Sequence, residues 1–283
     1  MGVAPFEPRW YGYLKKITLS DLTDSQRYLL RGFGKRQLLR FEMTSRHKTL
    51  IVISHYDLRP KIILQELVNS LSGCECDIVV VVNNDDLNSL RYDIFCPGVT
   101  CINRPNSGMN IGAWGCAFHE FPGYEYYIFL QDECIVKDYL FIDAYLSRLS
   151  DASVGMIGES INSKWDMDWN SISRSMLNYN VGMDNFGNKV TRVEFYLYMI
   201  KKWGVEPGLT GRHLRALIWA LRGEVLSKIK NFPVGAWKEE CIAAEIAVSK
   251  SIEQLGLRVE QVDADPFKYI QHSEWRSDGY SKL

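Results

Sequence analysis

The sequence predicts an α/β fold built on a mostly parallel sheet, and three observations carry that prediction. Short, nearly continuous apolar runs at residues 49–54, 77–82 and 126–130 read as strands covered on both faces. Segments with helical spacing alternate with them, the pattern of strand–helix–strand units. Each run ends abruptly in polar residues, which gathers charge at one edge of the sheet, because burying an unpaired carboxylate is costly.

The elements follow in order. The first run, Thr-Leu-Ile-Val-Ile-Ser, leads into His55 and Asp57. Pro60 then opens a helical segment with Ile63, Leu64, Leu67, Val68 and Leu71 on one face and Gly73 at its far end. The second run ends in Asn83, Asn84 and Asp85. A short third strand at 99–102 ends in Asn103, Arg104, Pro105 and Asn106, and a helix with Ile111, Trp114, Ala117 and Phe118 follows Gly108. The fourth strand, 126–130, stops at Gln131, Asp132 and Glu133, and 154–158 reads as a further strand. Residues 162–188 hold Trp165, Asp166, Asp168 and Trp169 among many Asn and Ser residues, with little regular period. Aromatic faces and amides together suit sugars, and equally suit an irregular surface. A last helix starts at Trp237-Lys-Glu-Glu and ends near Leu255, with Gly256 as its cap.

Residues 1–48 form an N-terminal extension, and 49–283 form one domain with a first half to 135 and a second from 136. The extension interleaves basic residues with Trp10, Tyr11, Tyr13, Tyr28 and Phe33. Ser20 or Asp21 caps a helix toward Leu30, broken by Gly32 and Gly34. A helical cap on the main domain is expected, and the same composition suits contact with a membrane surface or lipid-linked acceptor.

Bulk properties exclude whole classes. With 283 residues, 46% hydrophobic and 24% charged, the chain has ample material for a core. A formal net charge of −1 supplies no global field toward nucleic acid. The seven cysteines are odd in number and lack paired CxxC spacing; Cys74 and Cys76 form only a lone C-x-C. Cys116, Cys134 and Cys241 read as reduced, buried small hydrophobes. No run approaches the roughly 18 apolar residues of a spanning helix, and the N-terminus fits neither a secretory nor a myristoylation signal. The expectation is a soluble, cytoplasmic protein, at most peripheral at the inner face of the membrane.

Two clusters carry chemistry. Asp132 and Glu133 stand at the mouth of a buried strand, where α/β sheets bind ligands, and such carboxylates suit a hard divalent cation and through it a diphosphate. An acidic turn that merely solubilises a strand end reads the same way. The loop from Asn103 to the Gly108 helix combines Arg104 with a helix N-terminus, a setting for an anion, while Gly108 and Gly112 permit close backbone approach. It matches neither a P-loop nor G-x-G-x-x-G, which argues against a Rossmann dehydrogenase.

The order Ile-Val-Ile-Ser-His-Tyr-Asp, Val-Val-Val-Asn-Asn-Asp, Asn-Ser-Gly-Met-Asn-Ile-Gly-Ala-Trp and Phe-Leu-Gln-Asp-Glu resembles glycosyltransferases of the GT-A fold, a Rossmann-like, mostly parallel sheet flanked by helices. It is most similar to the family-two and rhamnan-synthesis-type enzymes of bacterial surface polysaccharides such as O-antigen and capsule. The resemblance spans roughly residues 49 to 275 by motif order. It implies that Ser54, His55, Asp57, Asn83 and Asp85 contact the nucleoside, with Arg104, Asn106, Gly112 and Gln131 near the donor. Asp132 and Glu133 would hold Mn2+ or Mg2+, with His272 as a C-terminal ligand, although Gln131 stands where the family's motif has its first carboxylate. The family's acidic pair before a helix falls on Glu239 and Glu240, with Glu240 as general base. Residues 211–226 correspond to a strand leading into a helix on the acceptor side, and Trp165–Trp169 with Arg212–Arg215 would shape the acceptor pocket. The implied activity is transfer of a sugar from a nucleotide-diphosphate donor to a hydroxyl of a glycan or lipid-linked acceptor, with inversion. A retaining transferase of the same fold and a non-catalytic nucleotide- or glycan-binding module are the alternatives.

Overall fold

Apolar alternation along the first strand sets the layers. In β1 (Thr49–Tyr56), Leu50 and Val52 face one side of the sheet and Ile51 and Ile53 the other, and all four are fully buried. The computed structural model describes residues 47–85, 99–184, 186–229 and 232–275. The N-terminal extension, with its helix toward Leu30, lies outside the described residues apart from His47 and Lys48.

The chain proceeds through α1 (Lys61–Ser70), β2 (Asp77–Asn84), β3 (Thr100–Pro105), α2 (Met109–Glu120), β4 (Tyr126–Gln131), β5 (Cys134–Val136), α3 (Phe141–Leu149) and β6 (Val154–Gly158). It continues through α4 (Trp169–Ser173), β7 (Asn180–Met183), β8 (Lys189–Thr191), α5 (Arg192–Lys202), β9 (Ile218–Arg222), α6 (Gly223–Lys228), α7 (Lys238–Gln254), β10 (Arg258–Gln261) and β11 (Ile270–His272). Among the described residues the main sheet has seven strands in the order β10-β6-β9-β4-β1-β2-β3, of which only β9 runs antiparallel to its neighbours. This is the mostly parallel α/β architecture expected, and the strand-to-helix passage expected within 211–226 is β9 into α6.

Helices cover both faces. On one, Ile111, Trp114 and Ala117 of α2 and Ala244, Val248 and Ile252 of α7 pack on Val79, Val81, Phe129 and Trp219. On the other, Leu64, Leu67 and Val68 of α1 and Phe141, Tyr145 and Leu149 of α3 pack on Val80, Val82, Ile128 and Leu130. A third apolar cluster joins α5 to α7 through Tyr196, Met199, Ile246 and Ala247, and it contains Trp165 and Trp169.

That cluster corrects the expectation for the aromatic loop. Trp165 and Trp169 are buried (3% and 9% exposed), and Trp165 lies against Tyr196 with ring centroids 5.3 Å apart. These rings are core, because the apparently irregular stretch folds back on the amphipathic α5. Asp168 has a local task as the N-cap of α4, its side chain accepting from the Ser171 N–H at 2.9 Å. Thr191 and Glu194 form a capping box that starts α5. Cys134 is buried as expected, whereas Cys116 and Cys241 are half-buried.

Candidate functional site

The parallel strands aim their carboxyl ends at one edge, and the order there reverses at β1. From β1 the chain builds outward through β2 and β3, then crosses back to place β4 on the other flank of β1. Such a switch point opens a crevice between strand ends, the place where open α/β sheets bind ligands. Here it lies between His55 at the end of β1 and Asp132 just past β4.

The two residues meet. His55 Nδ1 lies 2.6 Å from Asp132 Oδ2, Arg59 Nη1 donates to Asp132 Oδ1 at 2.6 Å, and the Asp132 N–H donates to Ser54 O at 3.0 Å. The same Arg59 Nη1 also contacts Glu133 Oε2. Asp132 is 1% exposed. Burial opposes its ionisation, but the His55 hydrogen bond and the Arg59 charge prevail and hold its carboxyl below the usual value. Glu133 goes the other way: burial, reinforced by Glu274 and Asp132, raises its carboxyl despite Arg59.

Gln131 and His272 form a second bridge. Gln131 Nε2 donates to Ala216 O at 2.7 Å, so its Oε1 is left to accept from His272 Nε2 at 3.1 Å, while the Glu274 N–H donates to His272 Nδ1 at 3.3 Å. The β5–β11 pairing, which sets His272 opposite Cys134, brings that imidazole to the end of β4.

On the other side of the crevice, polar side chains tie β2 to β3. Arg104 Nη1 donates to Asn83 Oδ1 at 2.7 Å and its Nη2 to Ser107 O at 2.6 Å. Asp85, at the surface, accepts from Asn106 Nδ2 at 2.9 Å and from the Tyr56 hydroxyl, and these bonds lower its carboxyl. The Asp57 N–H donates to Asn83 O at 3.1 Å, and Ser54 Oγ points back to Leu130 O at 3.4 Å. Gly112 serves a close approach within the protein: a Cβ there would sit 2.0 Å from Ser107 O. Gly108, at φ +74, starts α2 in the left-handed region.

The acidic pair splits into two environments. Glu239 Oε2 accepts from Arg192 Nε at 3.2 Å and from the Tyr196 hydroxyl, and its Oε1 accepts from the Tyr179 hydroxyl at 3.1 Å. Arg192 and Tyr196 anchor α7 to α5, and Tyr179 ties it to the stretch before β7. Glu240 folds back over the start of α7, its Oε2 accepting from the Ala236 N–H at 2.5 Å. The segment before it packs on the loop that leads into α2, since a Cβ on Gly108 would meet Val234 Cγ1 at 2.7 Å. Arg212 lines a polar hollow of about 580 Å³ with Arg148, Ile161, Gln261 and Asp263, at the ends of β6 and β10. Arg215 is buried against Trp275, 4.2 Å from its ring centroid, and holds Ser160 and Ile161.

The expected cation site is not what the side chains form. Among the described residues no three acidic, histidine or cysteine side chains gather as a ligand set. Both Asp132 oxygens are taken by His55 and Arg59, Glu133 shares Arg59, and the His272 nitrogens bond Gln131 and the Glu274 N–H, with Glu133 Oε2 3.8 Å from His272 Nε2. The donor set does not fit a resident divalent ion as arranged. Sequence reasoning missed Arg59, whose signal was a single guanidinium between the first strand end and Pro60. It also missed Asn110, which donates to Ala216 O beside Gln131.

No sequence family and no curated protein matches this chain. Among the solved structures with distant likeness are three of known chemistry. One is a CMP:2-keto-3-deoxy-manno-octonic acid synthetase complexed with CTP (15% identity, 75% of this chain and 88% of that one, TM-score 0.40). Another is a mannosyltransferase from Pyrobaculum calidifontis with GDP-Man and Mn2+ (15%, 77% and 55%, 0.44). The third is glucosyl-3-phosphoglycerate synthase from Mycobacterium tuberculosis with Mn2+, UDP and phosphoglyceric acid (13%, 83% and 74%, 0.45). Likeness at this distance carries no residue's role, no donor and no metal across to this chain.

Proposed function

We propose that this chain is a glycosyltransferase that moves a sugar from a nucleotide-diphosphate donor to a hydroxyl. One observation carries the reading. Asn83, Asp85, Arg104 and Asn106 converge at the same sheet edge as Asp132, Glu133 and Arg59, around the switch point of a mostly parallel sheet. Amides and a carboxylate suit a base and ribose, and guanidinium groups suit a diphosphate. The motif order that resembles GT-A enzymes of surface-polysaccharide synthesis points to a glycan or lipid-linked acceptor. The hollow at Arg212 is the acceptor side. No helix among the described residues is long and apolar enough to cross a membrane, and the basic, aromatic residues 1–48 are proposed to make any peripheral contact.

In the inverting form Glu240 is the base. Its carboxylate sits at the start of α7, on a segment packed against the donor-side loop. It would take the acceptor proton as the hydroxyl attacks the anomeric carbon and the diphosphate leaves. The engagement of Glu240 with the Ala236 N–H favours a second reading, retaining transfer, which requires no base on the acceptor.

The test is incubation with UDP-, GDP-, CMP- and dTDP-sugars and a lipid-linked or oligosaccharide acceptor, with product detected by mass spectrometry and its anomeric configuration by NMR. Transfer from a UDP-, GDP- or dTDP-sugar supports the assignment, transfer from a CMP-sugar alone would contradict the diphosphate donor, and the anomer chooses between the mechanisms. Specific binding without transfer or donor hydrolysis, across the acceptor panel, would make the protein a binding module.

A further inference from the structure

Resting on the nucleotide-diphosphate reading, we infer that Arg59 takes the part of a divalent cation, presenting an anchored guanidinium to the donor's diphosphate. Arg59 follows β1 at the switch point, where its Nη1 is held by Asp132 Oδ1 at 2.6 Å and by Glu133. Those are the two carboxylates that a metal would need. Asp132 is 1% exposed, and His55 occupies its other oxygen, so a cation entering there must displace a guanidinium from a buried carboxylate. Gln131 removes a further carboxylate from the strand end, and its amide already spans Ala216 and His272.

The outer part of the guanidinium is uncommitted. The Arg59 side chain is 34% exposed, and among the described residues its Nε and Nη2 make no hydrogen bond. Nε and one Nη2 hydrogen form a planar pair matched to two phosphate oxygens, a geometry that ammonium lacks. The two carboxylates restrict the arginine's rotation, so less ordering entropy is lost on binding. Arg104, at the end of β3, supplies a second positive charge along the same edge.

The experiment has two readouts on the whole protein. Binding of UDP, GDP, CDP and dTDP, and of the matching monophosphates, is measured by calorimetry in EDTA and again with Mn2+. Binding of Mn2+ alone is measured from loss of its free-ion EPR signal. The expected result is one nucleoside diphosphate bound in EDTA, with Mn2+ changing its affinity by less than about twofold. Arg59→Ala should weaken that diphosphate by about tenfold or more, and the monophosphate much less. Mn2+ alone should not bind the wild type but should bind Arg59→Ala, whose carboxylates are released. If Arg59→Ala fails to fold, Arg59→Lys keeps a charge on Asp132 and Glu133 and should show the same loss for diphosphate. Mn2+ bound by the wild type and required for the diphosphate would overturn the inference while leaving the nucleotide reading intact. No diphosphate bound with or without Mn2+ would overturn both.

Discussion

Glu159, at the end of β6 plus one residue, provides the sharpest quantitative prediction. It is 1% exposed, with Oε1 accepting from the Tyr145 hydroxyl at 2.5 Å and the Ile270 N–H at 3.2 Å, and Oε2 accepting from the Tyr269 N–H at 3.3 Å. Burial outweighs these bonds and raises its carboxyl from 4.5 to about 7. The sign follows from linkage. Below the unfolded value both states are protonated and the folded state bears no penalty. Between 4.5 and about 7 the unfolded chain ionises first, so stability falls as pH rises, and above about 7 the loss is complete. At about 1.4 kcal/mol per pH unit, the full loss is about 3 kcal/mol. Glu159→Gln removes the titration while sacrificing one acceptor toward Tyr269, a constant cost of about 1 kcal/mol. Urea unfolding of both proteins should therefore show the variant slightly less stable near pH 4 and more stable near pH 8. The difference should change by about 3 kcal/mol across the window. A difference that stays flat within about 0.5 kcal/mol would refute the claim that burial dominates this carboxylate.

Four further outcomes are expected. Asp132→Asn should destabilise by about 3–5 kcal/mol in urea, because Arg59 and the fully buried His55 side chain lose a charged partner. The wild type should also lose stability as pH falls below the ordinary 3.8 through the lowered Asp132 value, a component the variant lacks. Glu240→Gln, which can still accept from the Ala236 N–H, should lower kcat by about 10²–10⁴-fold while leaving the melting temperature near wild type, whereas unchanged turnover would remove Glu240 as base. Gly112→Ala should cost about 1–3 kcal/mol in denaturant titration, since the new methyl lies 2.0 Å from Ser107 O. Trp165→Ala should cost about 3–5 kcal/mol as a core truncation, and the conservative Trp165→Phe should leave acceptor KM unchanged.

The fold was legible because its signals are local. The runs that became β1, β2, β4 and β6 are buried on both faces, so almost every position is apolar and the period of the chain is unmistakable. Pro60 and Gly256 marked helix ends for the backbone reasons that place them there. The residues of the edge were legible for the same reason: a polar side chain directly after a buried strand has only one place to go. What those residues do to one another was not legible. The Arg59–Asp132 contact joins positions 73 apart, and the His272–Gln131 contact positions 141 apart. No short-range pattern distinguishes a carboxylate waiting for a metal from one already held by arginine. Trp165 and Trp169 misled for a related reason, since Trp165 packs on Tyr196 of a helix that the loop's polar composition did not announce, and Trp169 packs on Trp165.

The two acidic pairs of this chain make the same point from opposite directions. Glu239 and Glu240 are neighbours in sequence at one helix start, yet Glu239 is locked by two tyrosines and Arg192 while Glu240 answers a single backbone N–H. Helical geometry turns consecutive side chains by roughly 100°, so two equally buried carboxylates can meet different partners, one held by side chains and the next by backbone. Asp132 and Glu133 differ in the same way. Asp132 is fully buried and ionised by its partners, and Glu133 sits nearer solvent with its carboxyl raised by burial and by the charges of Glu274 and Asp132. The arginine between them therefore has one firm anchor and one softer one. Protonating Glu133 would weaken its contact without touching the Asp132 anchor, so a guanidinium-based diphosphate site should survive mild acid until Asp132 itself protonates. Diphosphate affinity in EDTA, followed downward from neutral pH, should accordingly hold through the Glu133 titration and collapse only with the Asp132 anchor. Loss of affinity in step with Glu133 instead would place the holding charge on Glu133.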